Sequence, residues 1–230
     1  MMEYLKNHEQ VMPLPRQPVS QNYRVVVMGT AGVGKSSIIN QFIHNKFTEN
    51  HIETIEELHR HSMKFETMSV EIDILDTSGS HEFPAMRKLA IATGDAFVLV
   101  YSVANEESFE IVKSLRNEIK EHKQNGKYSI VVVANKTDLG DQTGEHAVNE
   151  SVVCMDWEEK FVTTSAKTGE NIDCVFQLLE NQIKERIKLE EKRHSFIRRI
   201  SMPVMRLAAK SERQKTPLLK SKARTHSVDS

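Results

Sequence analysis

The sequence predicts an α/β fold built on a mostly parallel sheet with helices on both faces. Three observations carry that prediction. Short apolar runs recur at residues 25–28, 96–100 and 130–134, as strands buried on both faces require. Stretches with apolar residues at helical spacing fall between them. Strand and helix alternate rather than cluster, as in parallel βαβ units.

Taken in order, residues 1–21 hold Pro13, Pro15 and Pro18 among polar residues and read as a flexible leader. Val25, Val26, Val27 and Met28 then form a run that ends in Gly29, as a buried parallel strand would. Ile38, Ile39, Phe42 and Ile43 repeat with helical spacing. Val70, Ile72 and Ile74 alternate with Glu71 and Asp73, which predicts a strand with one polar face. After the run at 96–100, Phe109, Val112, Leu115 and Ile119 mark a helix. The run at 130–134 and a short strand at 161–163 follow, and Ile172, Val175, Leu179 and Ile183 mark a last helix. A folded domain over 22–190 is expected, with a basic, disordered tail over 191–230.

Composition narrows the classes. A chain of 230 residues, 39% hydrophobic and 27% charged, suits one well-cored soluble domain with extensions. No stretch has the roughly 18 consecutive apolar residues of a membrane span. The polar start, residues 1–10, does not resemble a secretory signal. Cys154 and Cys174 fit no metal or redox spacing and are expected to be buried free thiols in a reducing cytosol. His59 and His61 share one face of a strand, but nothing completes a metal site, so they are expected to face solvent. The net charge of −1 hides a division. From Lys192 onward there are 11 Lys/Arg against 2 Asp/Glu, and the preceding residues carry 20 against 30. An acidic body with a basic tail points to an anionic partner for the tail.

Four motifs name the chemistry. Gly29-Thr30-Ala31-Gly32-Val33-Gly34-Lys35-Ser36 fits G-x-x-x-x-G-K-[ST] and lies between a strand and a helix, as the phosphate-binding loop of a P-loop NTPase fold must. Its glycines let backbone N–H groups turn toward phosphate oxygens, and the helix N-terminus beneath, with Ser37 in its first turn, adds positive potential. Lys35 is expected against the β- and γ-phosphates and the Ser36 hydroxyl on Mg²⁺. Asp76-Thr77-Ser78-Gly79 fits D-x-x-G at a strand end, with Asp76 holding Mg²⁺ and the Gly79 N–H meeting the γ-phosphate. Thr54 is the expected second hydroxyl ligand.

The base is named downstream. Asn135-Lys136-Thr137-Asp138 fits N-K-x-D, and a carboxylate there accepts from both guanine N1–H and the exocyclic amine. Adenine offers no such donor pair and would leave the carboxylate unpaired. Ser165-Ala166-Lys167 supplies a loop to close over guanine. Each short match could be an ordinary polar loop; their conjunction in this order argues for GTP and GDP with Mg²⁺. A P-loop kinase or ATPase would need a different base site.

From Arg24 to about Ile187 the chain resembles the Ras family of small GTPases, and Asp76-Thr77-Ser78-Gly79-Ser80-His81 with Phe83-Pro84-Ala85-Met86-Arg87 most resembles the Di-Ras and Dexras/Rhes branches. The resemblance implies a six-stranded sheet with five helices and two switch loops. It implies Phe47 packed against guanine, and Lys35, Thr54, Gly79 and Ser80 nearest the transferred phosphate. It also implies a monomer that meets effector, exchange-factor and activating proteins between Thr48 and Leu58 and between Gly79 and Arg87.

Departures from the family bear on rate and anchoring. Ser80 stands where most Ras-like proteins have the glutamine that orients the attacking water, and its hydroxyl is too short for that task. Ala31 puts a methyl where Ras has a second loop glycine. Both point to slow hydrolysis, or to an adaptor that stays GTP-loaded and is controlled by expression or tail modification. The C-terminal Ser227-Val228-Asp229-Ser230 has no prenylation cysteine, and Met2 stands where N-myristoylation needs glycine. Charge with the patch Phe196, Ile197 and Ile200 is expected to carry any contact with the cytoplasmic face of the plasma membrane, and no nucleic-acid partner is expected.

Overall fold

The computed structural model describes residues 22–49, 54–64, 69–79, 84–124, 126, 128–140, 146–189 and 192–193. The chain divides into two units after Gln182. In the second unit, residues 183–189 and 192–193 are helical. The first carries the sheet. Ser80, the leader 1–21 and, apart from 192–193, the tail 191–230 lie outside the described residues.

The strands are β1 (Tyr23–Met28), β2 (Glu56–Lys64), β3 (Ser69–Thr77), β4 (Ala96–Ser102), β5 (Ser129–Asn135) and β6 (Lys160–Thr163). They form one six-stranded sheet in the order β2-β3-β1-β4-β5-β6. Every pairing is parallel except β2 with β3. All seven residues of β4 are buried, as are six of the seven in β5, and this explains their unbroken apolar sequence. The helices are α1 (Lys35–His44), α2 (Pro84–Thr93), α3 (Glu107–His122), α4 (His146–Ser151) and α5 (residues 172–182). Phe109, Val112, Leu115 and Ile119 turn one stripe of α3 into the core. Arg87 Nε stands 3.0 Å from Glu118 Oε2 and ties α2 to α3. Pro84, first residue of α2, lacks the N–H that an opening turn leaves unused.

Three expectations change. His59 and His61 are partly buried, not solvent-facing. The antiparallel register sets them opposite Ile74 and Ile72, on a core-facing side of the sheet. The His61 ring lies 4.9 Å from Phe42 of α1, which in turn stacks on Phe176 of α5. Cys154 and Cys174 are exposed. Cys154 lies in a π-helical turn, Val152–Asp156, that turns Val153 inward, and Cys174 sits on α5 beside the buried positions Ile172, Val175 and Leu179. Asp73, expected on a polar face, is 9% exposed and 3.5 Å from Arg60 Nε.

Strand β1 pairs with β3 on one side and β4 on the other, so the chain reverses direction across the sheet at β1. The loop after β1 therefore opens at the carboxyl edge of the sheet, at the crevice where open α/β folds bind ligands.

Candidate nucleotide site

The loop from Gly29 to Gly34 leaves β1 and turns into α1 through backbone that glycine alone adopts without strain. Gly34 has φ 101° and caps α1; a Cβ there would collide with Asn135 Nδ2. A Cβ at Gly29 would strike the Val100 carbonyl oxygen. Gly32 also has positive φ, 74°, with open space around it. Val33 is buried, Ala31 is exposed, and Ser37 is half-buried on the first turn of α1.

Lys35 folds back into this loop. Its Nζ donates to the carbonyls of Gly29 and Thr30, at 3.0 Å each, and the residue is 6% exposed. Burial pulls its pKa down to about 8, against the pull of the Asp76 carboxylate, which favours the ammonium. Next to it the Ser36 and Thr54 hydroxyl oxygens lie 2.9 Å apart. Asp76, 1% exposed at the end of β3, accepts a hydrogen bond from Ser36. A hydroxyl donates only one proton, so with Ser36 aimed at Asp76, Thr54 must donate to Ser36. Burial raises the Asp76 pKa; Ser36, Lys35 and His59 lower it, and Glu57 opposes them.

The structure thus brings Ser36, Thr54 and Asp76 together. Asp76 Oδ1 is buried with no hydrogen-bond partner among the described residues. An orphaned carboxylate oxygen beside two hydroxyls is an all-oxygen donor set, which suits Mg²⁺ rather than a softer metal. No cluster of three or more His, Cys, Asp or Glu side chains competes for a metal among the described residues.

Gly79 lies against the phosphate loop. A Cβ there would overlap the Ala31 backbone N and Cα and come within 2.7 Å of the Thr30 carbonyl carbon. Thr77, two residues earlier, donates from Oγ1 to the Val27 carbonyl at 2.8 Å and pins the end of β3 to β1. Sequence reasoning missed Thr77, because a threonine inside D-x-x-G carries no signal of its own.

The base loops meet at Asn135, the last residue of β5 and 1% exposed. Its Nδ2 donates to the Val33 carbonyl at 2.8 Å. Its Oδ1 accepts from Thr164 Oγ1 and from the Ala166 N–H, both at 3.1 Å. One amide therefore bolts the phosphate loop to both base loops. Lys136 adopts φ 69° and turns the chain so that Asp138 follows in a short 3-10 turn. The Ser165 hydroxyl donates to Asp138 Oδ1 at 2.6 Å and orients that exposed carboxylate. Phe47 is 38% exposed. Lys167 Nζ lies 3.9 Å from Glu49 Oε1. Thr164 is a second residue that sequence reasoning missed; it sits one place before Ser165-Ala166-Lys167 and is fully buried.

Comparison with known proteins agrees with this layout. The sequence pattern of the Ras family matches residues 24–185. The chain is 37% identical over 177 residues to human "GTP-binding protein Rhes", covering 73% of this chain and 66% of that protein. It is 37% identical over 174 residues to mouse "GTP-binding protein Di-Ras2", covering 75% and 86%. It is 39% identical over 177 residues to "GTP-binding protein drn-1" of Caenorhabditis elegans, covering 76% and 78%. The chain thus spans just under two thirds of the length of the Rhes protein it matches. With the family pattern running through the Gly29–Ser36 loop, the Ser36, Thr54 and Asp76 cluster and the loops after β5 and β6, the chain belongs to the Ras family of small GTPases.

Proposed function

We propose that this chain is a guanine-nucleotide switch that binds GTP and GDP with Mg²⁺ and hydrolyses GTP slowly. The observation that carries the reading is the Asn135 bridge, which holds a phosphate loop and a guanine-type base loop in one rigid unit. In this reading Asp138, oriented by Ser165, accepts from guanine N1–H and the exocyclic amine, and Ala166, its N–H held by Asn135, lines the base loop. Phe47, Lys136 and Lys167 flank it. The loop N–H groups from Ala31 to Ser37 and the Lys35 ammonium hold the phosphates. Ser36, Thr54 and Asp76 would hold Mg²⁺, which supplies charge neutralisation on the β- and γ-phosphates. The Gly79 N–H meets the γ-phosphate, and its release after hydrolysis frees the switch segments. Partners that load, unload and read the switch dock between Thr48 and Leu58 and between Gly79 and Arg87. The basic residues beyond Lys192 bring the chain reversibly to an anionic cytoplasmic membrane surface.

Slow turnover follows from two departures from the family sequence, Ser80 and Ala31. Ser80 cannot span to both water and phosphate, and the Ala31 methyl crowds the space where an orienting group would enter. Single-turnover hydrolysis of GTP by purified protein tests this. Ser80→Gln with Ala31→Gly should raise the rate about ten-fold or more, and Ser80→Gln alone less, because the methyl remains. A wild-type rate equal to that of glutamine-bearing Ras proteins would contradict slow turnover. No measurable hydrolysis at all would favour the GTP-loaded adaptor.

A further inference from the structure

The slot proposed for guanine has three walls: residues 135–138 after β5, residues 165–167 after β6, and Phe47 on the segment that leaves α1. Two residues past Phe47, Glu49 reaches the opposite wall, where its Oε1 lies 3.9 Å from Lys167 Nζ. We infer that Glu49 is a positioning residue for nucleotide retention, acting through Lys167: their ion pair is a strap that ties the chain just past Phe47 to the loop after β6, at the two walls of the base slot. The inference rests on the guanine-site reading above.

The surroundings decide what such a pair can do. The Glu49 and Lys167 side chains are 81% and 55% exposed, so water screens them and the pair adds little to fold stability. Orienting a flexible side chain is a smaller task. A lysine stem is apolar with a charged end, and it covers a flat surface only while that end is held to one side. Glu49 lies two residues past Phe47, so the pair draws the lysine end toward the segment that carries the phenylalanine ring. In the guanine reading Phe47 and the lysine stem flank the base, so release has to part them. Parting the strap therefore belongs to dissociation, while the phosphate contacts of Lys35 and the donor set of Ser36, Thr54 and Asp76 lie at the other end of the site and do not depend on it.

The test is the dissociation rate of a fluorescent GDP analogue from the full-length protein, chased with excess unlabelled GDP. The variants are Glu49→Lys, Lys167→Glu and the double reversal. At about 0.15 M salt, Glu49→Lys should speed release about two- to five-fold, the range that exposed ion pairs provide. The double reversal should release more slowly than Lys167→Glu alone, because the pair is restored with its charges exchanged. At about 1 M salt, where screening acts over about 3 Å, the difference between Glu49→Lys and wild type should shrink toward none. Release from Glu49→Lys at the wild-type rate would overturn the strap, as would a double reversal no better than Lys167→Glu. A difference that ignores salt would overturn it too, since loss of packing is not screened. Wild type that fails to bind GDP at all would overturn both the strap and the guanine reading; in every other outcome GDP binds and only the strap is at stake.

Discussion

At the scale of single residues, Lys35 carries a consequence of its own burial. Its pKa of about 8 in the free protein lies below the ordinary lysine value because the ammonium has been taken out of water. In the proposed complex phosphate oxygens beside Nζ would favour the charged form, so nucleotide binding should raise the pKa. Below about pH 8 the lysine is already protonated and binding needs no proton. Above it the free lysine is neutral, binding must take up a proton, and affinity falls as pH rises. From about pH 7.5 to about pH 8.5, kept below the ionisation of guanine N1–H, the GDP dissociation constant should weaken about three-fold. Calorimetry in buffers of different ionisation enthalpy should show proton uptake growing over the same window. Affinity and proton uptake that stay flat across it would mean that Lys35 is charged throughout. Folding stability follows the opposite trend: the cost of burying the ammonium is fully present below about pH 8 and fades toward the unfolded lysine value.

At the scale of elements, what the sequence made legible was local. The runs at 25–28, 96–100 and 130–134 are the buried cores of β1, β4 and β5, and the helical spacing from Phe109 to Ile119 is the inner stripe of α3. The phosphate loop was readable because its chemistry needs glycine at positions where a Cβ collides with Val100 or Asn135. The missed features depend on partners far along the chain. Thr77 bonds a carbonyl 50 residues away, and Thr164 an amide 29 away, and no short motif encodes either. The depth of His59 and His61 depends on the antiparallel register of β2 with β3, which alternation in one strand cannot reveal. The exposure of Cys154 follows from a π-helical turn, a rare geometry with no sequence signal here.

At the scale of the whole molecule, charge is divided along the chain, with an acidic body and a strongly basic stretch beyond Lys192. No helix among the described residues is long and apolar enough to cross a membrane. Each Lys or Arg near an anionic bilayer contributes about 1 kcal/mol, so a few engaged side chains give reversible attraction by charge alone. A phosphate at Ser201, beside Arg198 and Arg199, adds about −1.5 to −2 charges and should release the tail. Co-sedimentation with liposomes should therefore depend on anionic lipid, vanish on truncation after Glu191 and weaken in Ser201→Glu. Sedimentation that ignores lipid charge or survives the truncation would remove the membrane role.

The central claim is that the site selects guanine, and competition between GTP and ATP for the purified, Mg²⁺-loaded protein tests it most directly. Asp138 is held by Ser165 with its carboxylate available, and only guanine presents the N1–H and amine pair that satisfies it. The account predicts that GTP displaces a bound fluorescent GDP analogue stoichiometrically while ATP at a roughly thousand-fold excess does not. It also predicts that Asp138→Asn weakens guanine binding and shifts preference toward xanthine nucleotides, whose 2-oxo group accepts from the amide. Equal displacement by ATP and GTP, or an Asp138→Asn variant that keeps wild-type guanine preference, would contradict it.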